Sequence, residues 1–324
     1  MGTNDRKRNA LIFSSKFGTI IFLLLMVVTF SALKPRAFAS VGNFLNILNQ
    51  SSLSALIACG LTAVVIVGEF DMSIGYVASI SGVLVTGFMV NQGMPLGLAI
   101  VCTLLIAMAL GFLNGIIVTK LKVSSVIATI GTGSGIILGL NYAYGNGKTI
   151  ATGFDKMFTQ MTLTRVFGII PINIIYMAVI LFILWVVINK TELGQRIQAV
   201  GGNATAARLS GIYVDRIKII AFTMSSLCAG ITGILLASVL GSGTSNAGDS
   251  YMMNSFAAVY LGSATLKDGE FHILGTFIGV LIIRVVFNGL AIFGVPTFFQ
   301  YLAQGAILIL AVSLSTVSRE ISKS

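Results

Sequence analysis

Charge is what this chain has least of. Only 9% of its 324 residues are Asp, Glu, Lys or Arg, while 56% are hydrophobic. Soluble domains carry about 25% charged residues, so bulk water is not the main solvent here. Histidine occurs once, at His272, and the three cysteines, Cys59, Cys102 and Cys228, each stand alone inside an apolar run. That inventory excludes, within the chain, a zinc cluster, a histidine-centred catalytic triad and a disulfide framework. A phosphate-binding loop is missing as well. "YAYGNGKT" (Tyr142–Thr149) ends like one, but Tyr142 stands where the pattern needs its first glycine. The chain therefore has no means of hydrolysing ATP by itself, and no nucleophile–base pair marks it as an enzyme.

Apolar runs are what it has in abundance. Ten segments nearly free of charge read as membrane crossings: Phe17–Leu33, Phe44–Val67, Ile74–Val90, Pro95–Val118, Val123–Tyr142, Val166–Ile188, Ile219–Leu240, Tyr251–Leu266, Ile273–Phe293 and Thr297–Val317. Runs of about 17–25 residues cross a bilayer as helices, and continuous runs do not fit the alternating strands of a β-barrel. The 36 glycines suit helices that approach closely in lipid. The expected fold is all-α, a polytopic membrane protein of about ten helices in one domain over residues 1–324. Tyr251–Leu266 is short enough to be tilted or re-entrant.

The basic residues orient these segments. With the N-terminus inside, fourteen Lys and Arg, Arg319 and Lys323 among them, fall on the inner side and five (Lys34, Arg36, Lys148, Lys156, Arg165) on the outer, with Arg284 inside the ninth segment. Inner loops carry the excess of Lys and Arg, so both termini are expected in the cytoplasm. The net charge of +10 then reflects basic loops rather than a nucleic-acid partner. Arg6–Arg8, an apolar run and Ala37-Phe38-Ala39 imitate a secretory signal. The run is long, however, and Lys34 and Arg36 crowd the cleavage position, so an uncleaved first helix is expected. "GFLNGIIV" (Gly111–Val118) and "RVVFNGLAI" (Arg284–Ile292) share an Asn-Gly late in the fourth and ninth segments, a faint sign of an inverted five-helix repeat.

Few polar residues interrupt the apolar segments. In "GEFDMSIG" (Gly68–Gly75), Glu69 and Asp71 read either as an ion path or as a turn in which Asp71 caps the third helix. Arg284 reads as snorkelling or as facing a polar cavity. Asn114, Asn141, Asn254, Asn288, Gln300 and Gln304 can bind a passing polyol or bridge neighbouring helices, and spacing does not choose. Asn114, Asn141, Asn288, Arg284, Glu69 and Asp71 are the candidate path residues.

The largest interruption is "TELGQRIQAVGGNATAARLSGI" (Thr191–Ile212), within an inner loop of about residues 189–217. Asn203 suits an N-cap, Ala204–Ser210 favours helix and Gly211 suits the position after it. Gly194, Gly201 and Gly202 are read as bends around that element. A two-turn helix is marginal alone in water, so a docking partner or a plain connecting loop are both open.

This stretch resembles the cytoplasmic loop of ABC importer permeases of the ribose, galactose and xylose type, which includes the autoinducer-2 permeases. The family pattern is similar to T-x-x-G-R-x-I-x-A-x-G-G-N-x-x-A-A-x-x-S-G-I, matched here by Thr191, Gly194, Arg196 (one place later), Ile197, Ala199, Gly201, Gly202, Asn203, Ala206, Ala207, Ser210, Gly211 and Ile212. "GEFDMSIG" is similar to the family's "GGIDLSVG", and "GFLNGIIVTKLKVSSVIATIGT" to "GLLNGLLVTKLGIPPFIATLGT". Three departures stand out: Glu69 replaces a glycine, Ser124-Ser125 replace a proline pair, and Lys267, Asp268 and Glu270 crowd a milder region. The resemblance implies a bacterial inner-membrane permease that is not an enzyme and carries no cofactor. It implies a homodimer or a heterodimer with a sister permease, driven by separate ATPase subunits that use the ATP, and fed a sugar by an extracytoplasmic binding protein. Coupling to the ATPase would fall to Glu192, Gly194, Arg196, Gly201, Gly202, Asn203, Arg208 and Gly211. An ion-coupled transporter using Glu69 or Asp71, a passive channel and a membrane enzyme are the rival readings.

Overall fold

The computed structural model describes residues 3–263, 265, 269–303, 305, 306 and 309, with side chains from residue 18 onward. Lys267, Asp268, Gln304, Arg319 and Lys323 lie outside the described residues, as do the side chains of Arg6–Arg8. The chain is all-α and polytopic. Helices α1 (Thr3–Leu33), α2 (Val41–Ile66), α3 (Ile74–Val90), α4 (Leu96–Lys120), α5 (Ser125–Ile130) and α6 (Leu138–Gly145) come first, α5 and α6 being joined by a π-helical stretch, Gly131–Ile137. There follow α7 (Lys156–Leu163), a hairpin of β1 (Arg165–Val166) and β2 (Ile170–Pro171), and α8 (Ile172–Lys190). Then come α9 (Glu192–Gly202), α10 (Ala204–Leu209), α11 (Val214–Leu240), α12 (Asp249–Ser263) and α13 (Ile273–Ile292).

Among the described residues nine of the ten expected segments are largely helical, and Ile74–Val90 has the expected ends. Of the tenth, residues 297–303 are helical, and most of the rest lies outside the described residues. Among the described residues six helices are long and apolar enough to cross a membrane, with Gly18–Leu33 and Ile74–Val90 as shorter apolar stretches. The sixth segment begins later than its hydrophobicity suggests. Phe167 and Gly168 take positive φ (53° and 73°), turning the chain into a hairpin in which Arg165 pairs with Pro171. Pro171 then opens α8, where its missing N–H costs the helix nothing.

The chain divides into two compact units, Ser52–Met252 and the pair Met1–Ser51 with Met253–Ser324. In the first, α3 is the core: fourteen of its residues are buried, packed by α11, α4 and α6. Gly233 of α11 lies against the Ala78 carbonyl with no room for a β-carbon, which lets the two backbones touch. The outer helices are dressed the other way. Leu98, Val101, Leu105 and Phe112 of α4 and Val179, Phe182 and Ile183 of α8 are exposed, a distribution stable in lipid and not in water.

In the second unit α1 packs on α13, and Phe38, Ile47 and Val285 form a buried cluster with Leu23, Met26, Val27 and Phe30 around it. The sole histidine has a structural task. His272 precedes α13, its Nδ1 accepts from the Gly275 N–H at 3.0 Å, and its Nε2 lies 2.7 Å from the Thr265 carbonyl.

Candidate functional site

The Thr191–Ile212 stretch contains two helices, where the sequence suggested one. Thr191 ends α8 and starts α9, accepting from the Gly194 N–H while donating to the Val187 carbonyl at 2.6 Å. Gly194, Gly201 and Gly202 are therefore not bends; all three lie within α9. Two of them serve close approach instead. Gly194 abuts the Ile188 carbonyl and Gly201 the Ile66 carbonyl at the end of α2, whereas Gly202 faces open space. Ile197 and Val200 are buried residues of α9, while Glu192 and Arg196 form an exposed pair one turn apart on it.

Helix α10 carries the local signals the sequence advertised. The Asn203 Oδ1 accepts from the Thr205 and Ala206 N–H groups, both at 3.0 Å. At the other end the Gly211 and Ile212 N–H groups bond the Arg208 and Ala207 carbonyls, with Gly211 at φ +84°. These bonds satisfy the helix termini locally. On α10, Ala207 is buried, Leu209 is 85% exposed, and Arg208 points to Asp215 of α11 at 3.9 Å. Asp215 also holds Lys120 at 2.9 Å, so the ends of α4, α10 and α11 meet at one carboxylate.

Beside this element lies a groove of about 1200 Å³. Glu69, Lys120, Lys122, Arg208, Asp215 and Lys218 are among its lining residues, an excess of positive charge. Glu69 is ion-paired with Lys218. Asp71 is fully buried: Oδ1 accepts from the Ser73 N–H and hydroxyl, and Oδ2 from the Ser225 hydroxyl at 2.9 Å. Burial pushes this carboxyl, in the connection between helices, above its usual range, and the hydrogen bonds from Ser73 and Ser225 pull it back. Asp71 thus sits just ahead of α3, whose N-cap is Ser73 with no side-chain cap bond of its own. The network continues, with Asn114 donating to the Ser73 hydroxyl at 2.9 Å and accepting from Thr132, in the π-helical stretch, at 2.6 Å.

Each candidate path residue has its own surroundings. Asp71 and Asn114 meet in the buried network and Glu69 faces the groove. Asn141 donates to the Ser245 carbonyl at 2.7 Å, with its buried Oδ1 unpartnered among the described residues. In the other unit, Asn288 exchanges hydrogen bonds with Asn43 at 2.9 and 3.0 Å, and Arg284 is half-buried on α13. Sequence reasoning did not single out Lys218, Asp215 or Ser225. The charged run Asp215-Arg216-x-Lys218 just after the insert was a usable signal for the first two; Ser225, a hydroxyl in an apolar run, gave none.

The family description "Branched-chain amino acid transport system / permease component" matches residues 43–312. The chain is similar to the ribose import permease protein RbsC of Bacillus subtilis (strain 168), 38% identical over 92% of both chains. It is also similar to that of Haemophilus influenzae (strain ATCC 51907 / DSM 11121 / KW20 / Rd), at 35% over 91% of both. The D-allose transport system permease protein AlsC of Escherichia coli (strain K12) is 31% identical over 94% of this chain and 93% of its own. No solved structure matches. With a family match over most of its length and relatives of such coverage, this protein belongs to the transport-system permease components, among ABC permeases of the ribose, galactose and xylose type.

Proposed function

We propose that this chain is the membrane-spanning subunit of an ATP-driven importer that carries a monosaccharide, a pentose or hexose, into the cytoplasm. An extracytoplasmic binding protein delivers the solute, and separate ATPase subunits act on a permease pair, homodimeric or heterodimeric. The α9–α10 element carries this reading. It projects an exposed Leu209 and Arg208 from a short capped helix, while its inner side is seated on α2 through Gly201. Such an element presents a grip to a partner and a rigid contact to the membrane helices. Glu192, Arg196, Gly202, Asn203 and Arg208 are its partner-facing residues in this reading.

Chemistry of the relatives favours sugar over amino acid, despite the wording of the family description. Glu69 and Asp71 are both engaged by protein partners, which counts against an ion-coupled mechanism. Asn141, buried with a spare acceptor, is the best-supported path residue.

The experiment is uptake of labelled ribose, allose, xylose and autoinducer-2 into vesicles holding the permease with its ATPase and binding protein. Uptake of one of the sugars is expected to require ATP and to survive a protonophore. Uptake abolished by the protonophore with ATP present would replace this reading with ion coupling, and equilibration without ATP would replace it with a channel.

A further inference from the structure

Two polar contacts converge on the connection between α2 and α3, residues 67–73. Ser125 accepts the Phe70 N–H through its hydroxyl at 3.1 Å. Glu69 pairs with Lys218 of α11. The side chains of Glu69 and Lys218 are 15% and 22% exposed, against 38–76% in the Lys120–Asp215, Glu192–Arg196 and Arg208–Asp215 pairs. Exposed pairs are screened and weak, whereas the Glu69–Lys218 pair is shielded enough to hold two elements together.

Its placement matters more than its strength. Lys218 lies one turn into α11, just past Asp215, which holds Arg208 of α10. On the other side of the connection, Gly201 of α9 abuts the Ile66 carbonyl. The α9–α10 element thus reaches residues 66–69 along two routes, and Asp71 and Ser73 lead directly into the buried α3. Glu69 is also fixed from behind. The Glu69 and Gly68 N–H groups bond the Val64 and Val65 carbonyls, with Gly68 at φ +82°, so the carboxylate is carried rigidly on the end of α2. Because the pair lines an open groove, its charges can be re-solvated by water when they part. A fully enclosed pair would resist separation.

We propose that Glu69 and Lys218 form a latch that ties the α2–α3 connection to the first turn of α11. Movement of α9–α10 then reaches α3 and α11 together, and α3 stays in place until the pair parts. The latch rests on the reading of α9–α10 as the point where an ATPase acts.

The test uses Glu69→Gln, Lys218→Met and the swapped pair Glu69→Lys/Lys218→Glu in the full-length permease. Hydrogen exchange at residues 66–73, measured on the permease alone in nanodiscs, is expected to rise about tenfold in each single variant and to return within about twofold in the swap. In the complex with ATPase and binding protein, solute moved per ATP hydrolysed is expected to fall about tenfold in the single variants and recover in the swap. Unchanged exchange, a swap as impaired as the singles, or faster exchange with an unchanged transport ratio each overturns the latch. Wild-type uptake that ignores ATP would instead overturn the function, and the exchange measurement would still decide whether the pair holds the connection.

Discussion

The carbonyl of Ile66, in the last turn of α2, faces Gly201 of α9 with no room for a β-carbon between them. The neighbouring Gly202 faces open space. Two adjacent glycines that look alike in the sequence thus have opposite tolerances. Gly201→Ala is expected to force α9 off α2 and lower the thermal unfolding midpoint of the detergent-purified permease, costing about 1–3 kcal/mol as overpacked sites do. Gly202→Ala is expected to leave that midpoint unchanged. Gly202→Trp should fold but lose co-purification with the ATPase.

The Asn203 side chain supplies two acceptor bonds at the start of α10. Asn203→Ala should cost about 1 kcal/mol of local stability, with Asn203→Asp close to wild type. Hydrogen exchange at residues 204–209 measures it, and equal protection in both variants would show that α10 does not depend on its cap.

Asp71 draws together Ser73 and Ser225, and through Ser73 also Asn114. Asp71→Ala strands three buried donors, at about 1–3 kcal/mol for each unsatisfied group. It should therefore be among the most damaging single substitutions outside the helix-packing glycines. Asp71→Asn keeps an acceptor and should recover part of the loss. The unfolding midpoint and the yield of monodisperse protein report both effects.

Asn43 and Asn288 form a reciprocal amide pair between α2 and α13. Asn43→Leu or Asn288→Leu alone leaves an amide without its partner, while the double leucine variant removes both polar groups. The double variant is expected to be more stable than the sum of the singles by about 1 kcal/mol, read from a double-mutant cycle on thermal unfolding. Strict additivity would mean that the two amides act independently.

Legibility followed the range of the interaction. Asn203 and Gly211 were readable because a cap is decided within a few residues of chain. The start of Val166–Ile188 is hard to place from sequence because apolar character runs straight through the hairpin, where Gly168 and Pro171 are the local turn signals. Gly194, Gly201 and Gly202 look like bends in the sequence because glycine serves both flexibility and close approach, and Gly201 is needed for the second. Glu69 was visible as a departure but not as a pair, since its partner lies 149 positions away.

By itself the sequence determined a charge-poor bundle of membrane helices with one polar, capped insert, because burial in lipid and helix termini are settled by composition and near neighbours. Tertiary structure alone decided which glycines touch backbone, which carboxylate is buried and which is paired. Those outcomes depend on which distant helices meet, and side-chain type does not encode a meeting.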